Sequence, residues 1–260
     1  MGVWLSLLLS SSVASERPKL HVEELLDWPF WRPEHHPRSM VATEILLKTD
    51  RILRALEGDE ASELVGPHGY AQVKPILDSL VFEYFGLRDE ERVLVTELAD
   101  FAGPSLQPAS LRYDALIRPL QARPGPEIIE RYCARVHDVM HKWRDVTGGV
   151  GYVNVVPWTA RTLALGAAVI HLSMPPRSPR PSARFDDDAV LNELEDTLKR
   201  VAGGSGEQLV TVPDLTIVDG DRIFIIKPLV ARFWLQRAAM EDASRIAAEI
   251  QLAGRMRVQV

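Results

Sequence analysis

The segment His137-Asp138-Val139-Met140-His141 places two imidazoles four residues apart. On a helix, positions i and i+4 share a face, which is the geometry two zinc ligands need. Asp145 extends the same line by one more turn. An ion held by His137, His141 and Asp145 would make the chain a metal-dependent hydrolase. The acid after the first histidine is Asp138, where zinc proteases carry glutamate. An aspartate is one methylene shorter and holds an activated water poorly. The same residues also read as ordinary polar groups on an exposed helix face.

A second group lies near the C-terminus, in Lys227-Pro228-Leu229-Val230-Ala231-Arg232-Phe233-Trp234-Leu235-Gln236-Arg237. Cationic and aromatic side chains alternate there. Lys227, Arg232 and Arg237 could pair with phosphates, and Trp234 could stack on a base. Alternatively, Phe233 and Trp234 are core, with the charges solvated. The run Met174–Arg184 holds four prolines with Arg177, Arg180 and Arg184 and no acid. It reads as an extended basic linker, and Arg177 and Arg180 could join the same positive surface.

Three further motifs have simpler readings. Thr147-Gly148-Gly149-Val150-Gly151 has the glycines of a phosphate-binding turn. That chemistry needs a strand before the turn and a helix after it, the reverse of the order expected here. Asp186-Asp187-Asp188 could gather a cation, but acids at a helix start also favour the dipole. Cys133 lies on an apolar stripe, which points to a buried, inert thiol.

The elements that must position these groups follow from periodicity. Residues 41–57 show apolar recurrence near 3.6. Gly58, Gly66, Pro67 and Gly69 then punctuate a loop. Residues 73–86 form a helix with Val73, Ile76, Leu77, Leu80, Val81, Tyr84 and Phe85 as its stripe and Gly86 as its C-terminal cap. Asp89 is placed to cap the next helix, with Val93, Leu94, Leu98 and Phe101 inward. Gly125-Pro126-Glu127 opens a helix whose stripe runs Ile128, Ile129, Tyr132, Val136, Val139, Met140, Trp143. Residues 151–157 are strand-like, and Thr162–Leu172 is apolar without a period that decides its type. The acids 186–188 start a helix to about Val201. Leu215–Val218 and Arg222–Ile226 flank the turn signal Asp219-Gly220, and a last helix covers 230–252.

These elements predict a mixed α/β (α+β) chain, mainly helical, with a small antiparallel hairpin near the C-terminus. The expected division is a helix-rich domain over 1–173, with an irregular apolar start over 1–40. The basic linker over 174–184 follows, then a smaller α+β unit over 185–260. The chain has 260 residues, 46% hydrophobic and 25% charged, enough for a sizeable core. A net charge of −6 argues against coating nucleic acid by bulk charge, while a local basic patch remains open. A single cysteine suits a reducing compartment, and a cytoplasmic location is expected. The apolar run Val3–Leu9 before Val13-Ala14-Ser15 has a signal-peptide outline without the basic start, and is too short to span a bilayer. No membrane association is expected.

Two stretches resemble a known family. Ile76-Leu77-Asp78-Ser79-Leu80-Val81-Phe82-Glu83-Tyr84-Phe85-Gly86-Leu87-Arg88-Asp89-Glu90-Glu91 is similar to a segment near the recognition region of adenine-specific DNA methyltransferases of restriction-modification and related defence systems. Val218–Pro228, then Arg232-Phe233-Trp234 and Ala238–Ala243, look like the C-terminal end of proteins in that group. Such enzymes bind S-adenosylmethionine at a glycine-rich turn after a strand. They hold the flipped adenine with Asn/Asp-Pro-Pro-Tyr/Phe. Here Pro175-Pro176 is preceded by Met174 and followed by Arg177, and neither element is present. The resemblance therefore implies a non-catalytic accessory or target-recognition part with DNA as partner. S-adenosylmethionine would bind to a separate methyltransferase catalytic subunit or a missing N-terminal domain. The alternatives are the hydrolase above and a protein-interaction module without catalysis.

Overall fold

The computed structural model describes residues 31–57, 67–106, 118–160, 162–173, 181–201 and 215–258. The apolar start over 1–15, the glycines at 58 and 66, and Arg177 and Arg180 lie outside the described residues. The protein is mainly helical with a four-stranded antiparallel sheet, the α+β class expected. The chain divides into two compact units, 1–116 and 117–260.

In the first unit, α1 is Ser39–Glu57, α2 is Pro67–Tyr84 and α3 is Asp89–Glu97, followed by a π-turn over Leu98–Ala102 and a short α4, Gly103–Leu106. Helix α2 starts at Pro67, so Pro67 and Gly69 belong to the helix and not to the loop that their types suggest. Its end follows the expectation. Gly86 takes φ +62°, the Leu87 amide donates to Phe82 O (2.9 Å) and the Gly86 amide to Glu83 O (3.1 Å). These bonds satisfy carbonyls that a helix end leaves open, and glycine reaches this backbone without a Cβ penalty. The cap of α3 is Arg88, one residue before Asp89, with its amide donating to Glu91 Oε2 at 2.8 Å. Val93 is buried as expected, with Val95 and Glu97 beside it, whereas Leu94 is exposed, contrary to the stripe read. Ala42, Ile45 and Tyr84 form this unit's buried cluster, and His36 Nε2 donates to Tyr84 O at 2.7 Å.

In the second unit, α5 is Pro126–Val146, β1 is Tyr152–Thr159 and β2 is Leu165–Ser173. Helix α6 is Ala189–Val201, β3 is Leu215–Asp219, β4 is Arg222–Pro228 and α7 is Gln236–Val258. The sheet order is β1-β2-β4-β3, antiparallel throughout. Gly220 takes φ +61° in the two-residue turn of the β3–β4 hairpin, a position that excludes most side chains. The sheet has helices on both faces. Ala168, Ile170, Ile223 and Ile225 pack with Ile129, Tyr132, Val136 and Met140 of α5 and Ala239, Ala243 and Ile246 of α7. Ala167, Val169, Phe224 and Ile226 pack on the other face with Val190 and Leu194 of α6. Cover on both sides explains why β2 shows no alternation in sequence.

The boundary expected at 174–184 is not where the chain divides. Strand β2, before that segment, pairs with β4, after it, from Leu165↔Pro228 to His171↔Arg222. Register across a sheet makes these strands one folding unit. Arg184 is also part of it. Its backbone brackets β1 through Thr159 N→Arg184 O (2.8 Å) and Arg184 N→Pro157 O (2.9 Å). Its guanidinium lies over the Trp158 ring and donates to Asp187 and Glu193.

Candidate functional site

The C-terminal basic-aromatic segment splits into an inner and an outer half. Lys227 occupies the β4 face shared with Ile223 and Ile225, which points at α5 and α7. It is 3% exposed, and its Nζ donates to Asp242 Oδ2 on α7. Tyr132 on α5 donates its hydroxyl to the same oxygen at 2.5 Å, and Arg245 Nη2 donates to Oδ1 at 2.9 Å. The ammonium also sits 5.2 Å from the centre of the Tyr132 ring. Asp242, itself 4% exposed, thus accepts three hydrogen bonds from two cations and a phenol.

Trp234 is fully buried. Its ring meets Tyr132 edge-on with centroids 5.2 Å apart, and its Nε1 donates to Pro228 O at 2.8 Å. Lys227 and Trp234 are therefore not surface ligands of phosphate or base. Both are corrections to the binding set read from sequence: register puts Lys227 on the inward face of β4, and the 3-10 turn Ala231–Phe233 delivers Trp234 into the core. Asp242 and Tyr132 were missed. The available signals were an acid set between Ala239, Ala243 and Ile246 on a core stripe, and a cation ending the apolar run 223–226.

The outer half remains on the surface. Arg232 is exposed in the 3-10 turn Ala231–Phe233, with its guanidinium 4.6 Å from the Phe233 ring centre. Arg237, in the first turn of α7, is exposed and donates to Glu241 at 2.9 Å, an exchangeable surface pair. Arg135 of α5, on the face that the periodicity assigns opposite the apolar stripe, reaches Gln236 Oε1 at 3.2 Å. The structure keeps Arg232 and Arg237 exposed and takes Lys227 into the interior.

The other candidates are also placed. His137 and His141 stack on α5 with ring centroids 4.2 Å apart. His141 Nε2 donates to Val153 O of β1 (3.1 Å), and His137 Nδ1 faces Asp138 Oδ1 (3.4 Å). Asp145 is taken by Arg144, at 2.6 and 2.9 Å. Among the described residues no three His, Cys, Asp or Glu side chains converge on one point, so the expected His137–His141–Asp145 triad is not assembled. Gly148, Gly149 and Gly151 join α5 to β1, with a helix before and a strand after. Of the acidic run, Asp187 accepts from Arg184 and from the Ala189 amide at the start of α6. These donors hold its carboxyl below the usual range. Burial pushes the Cys133 thiol well up, so it stays protonated and unreactive.

An apolar cleft of about 440 Å³ lies between the sheet and the C-terminal half of α7. It is lined by Leu172, Thr216, Val218, Ile223, Ile246, Glu249, Ile250 and Ala253. One carboxylate among apolar neighbours makes no acid–base pair. Among the described residues no helix is long and apolar enough to cross a membrane. The chain matches no family model, no curated protein and no solved structure.

Proposed function

We propose that this chain is a cytoplasmic, DNA-associated accessory part of an adenine-specific DNA methyltransferase system. It would lend surface to a catalytic subunit that binds S-adenosylmethionine. The observation that carries the reading is the outward display of Arg232 and Arg237 on a rigid support. The buried Lys227–Asp242–Tyr132 cluster and the Trp234 anchor set the turn and the first residues of α7, and the two guanidiniums project from them. Guanidiniums on rigid elements suit phosphate contact, because little ordering remains when the backbone arrives. The similarity of segments 76–91 and 218–243 to methyltransferase recognition and C-terminal regions supplies the system. The phosphate set is then Arg232 and Arg237, with Arg177 and Arg180 as further members.

The test is duplex binding across a salt series, alone and with the methyltransferase of the same system. Wild-type protein should bind, with affinity falling as salt rises. The Arg232→Ala/Arg237→Ala variant should bind less tightly and lose roughly one unit of salt slope per lost phosphate contact. A wild-type chain that neither shifts duplex at low salt nor associates with a methyltransferase overturns the reading.

A further inference from the structure

We propose that His137 and His141 form a two-point site on α5 for one divalent transition-metal ion of the zinc, nickel or copper class. The argument starts from tautomers. A carbonyl only accepts, so the contact of His141 Nε2 with Val153 O places the proton on Nε2 and leaves the Nδ1 lone pair open. His137 Nδ1 faces the Asp138 carboxylate at 3.4 Å, a contact that favours the proton on Nδ1 and an open Nε2. His141 is thus oriented by the carbonyl behind it, while His137 has only the longer carboxylate contact and keeps freedom to turn. Metal-binding histidines are set in this way, because the second-shell oxygen fixes the ring and raises the basicity of the free nitrogen.

The two rings are near neighbours, as a shared ion requires. The rings are stacked with centroids 4.2 Å apart and an interplanar angle of 37°. Bonds of roughly 2.0–2.1 Å to one ion need the two nitrogens about 3 Å apart. His137 is the half-exposed partner, so its ring can turn to close the bite while Val153 holds His141. Imidazole favours borderline ions over calcium or magnesium, which prefer oxygen. With Asp145 engaged by Arg144, the remaining positions go to water. The site has two protein ligands and no positioned general base, so its effect is on stability and not on hydrolysis. It stands independently of the DNA reading, on a different face of α5 from the buried Tyr132.

The test uses the full chain free of any histidine tag, titrated with zinc chloride by calorimetry and melted with and without the ion. One zinc per chain and a raised Tm are expected. His137→Ala and His141→Ala should each weaken binding at least about tenfold and abolish the rise in Tm, since one imidazole cannot chelate. His137 makes no contact outside its own helix among those described above, so its variant folds and keeps the test decisive if His141→Ala does not. No saturable binding by the wild type, or unchanged affinity in His137→Ala, overturns the proposal.

Discussion

Lys227 carries a charge in a place where a charge is costly. Its ammonium and the Asp242 carboxylate are both almost wholly enclosed, so neither can turn to water if the other is removed. The expected cost of Lys227→Ala is at most about 3–5 kcal/mol, the range for breaking a buried pair, since Arg245 and Tyr132 still donate to Asp242. The double variant Lys227→Met with Asp242→Leu should recover part of that loss, because apolar groups of similar size need no partner, while Tyr132 and Arg245 lose this acceptor. Urea unfolding of the two variants checks this. Equal destabilisation in both would mean that the pair is not coupled. Arg232 is the contrast. Its side chain is exposed, and Arg232→Ala belongs among substitutions that move stability by less than about 0.5 kcal/mol. The two cations lie five residues apart in sequence and have opposite roles.

At the level of elements, β2 and the segment after β4 meet through a glycine. A Cβ on Gly166 would stand 2.9 Å from Leu229 Cδ2 and 3.0 Å from the Trp234 ring. Glycine there lets the Trp234 ring lie against the strand, which in turn seats the Ala231–Phe233 turn and the start of α7. Gly166→Ala should cost about 1–3 kcal/mol by overpacking and lower the melting temperature. A neutral result in thermal unfolding would show that Trp234 moves aside freely. Helix α6 is held differently. Glu193 accepts from Arg184 (2.8 Å) and Arg222 (2.9 Å), which tie it to the segment before the helix and to the hairpin. Long-range electrostatics of this kind leaves no periodic trace. The helices read over 41–57, 73–86 and from Pro126 to Asp145 match α1, most of α2 and α5, and α5 buries the stripe read for it. The start of α2 was not legible, because Pro67 occupies the first helical turn, where its missing amide costs nothing. The type of Thr162–Leu172 was not legible either, since a strand covered on both faces has no period to show.

For the whole molecule, the division falls at 116/117, with both halves of the sheet in the second unit. Residues 117–260 contain α5, the sheet, α6 and α7, and their two buried clusters are built from residues of that unit alone. This segment should fold by itself, with cooperative denaturant unfolding and a mixed helix–sheet circular dichroism spectrum. A fragment without a cooperative transition would contradict the division.

What the sequence determined by itself is local. Helix ends such as Gly86, the hairpin at Gly220, the apolar face of α5 and the overall α+β class follow from backbone permissions and periodicity among near neighbours. Tertiary structure decided which charges belong to the surface. Lys227 meets Asp242, fifteen residues on, and Tyr132 meets it across 110 residues. Whether a cation or an indole is scaffold or contact depends on which side of a strand or turn faces the core. Strand register settles that, and register depends on partners far along the chain.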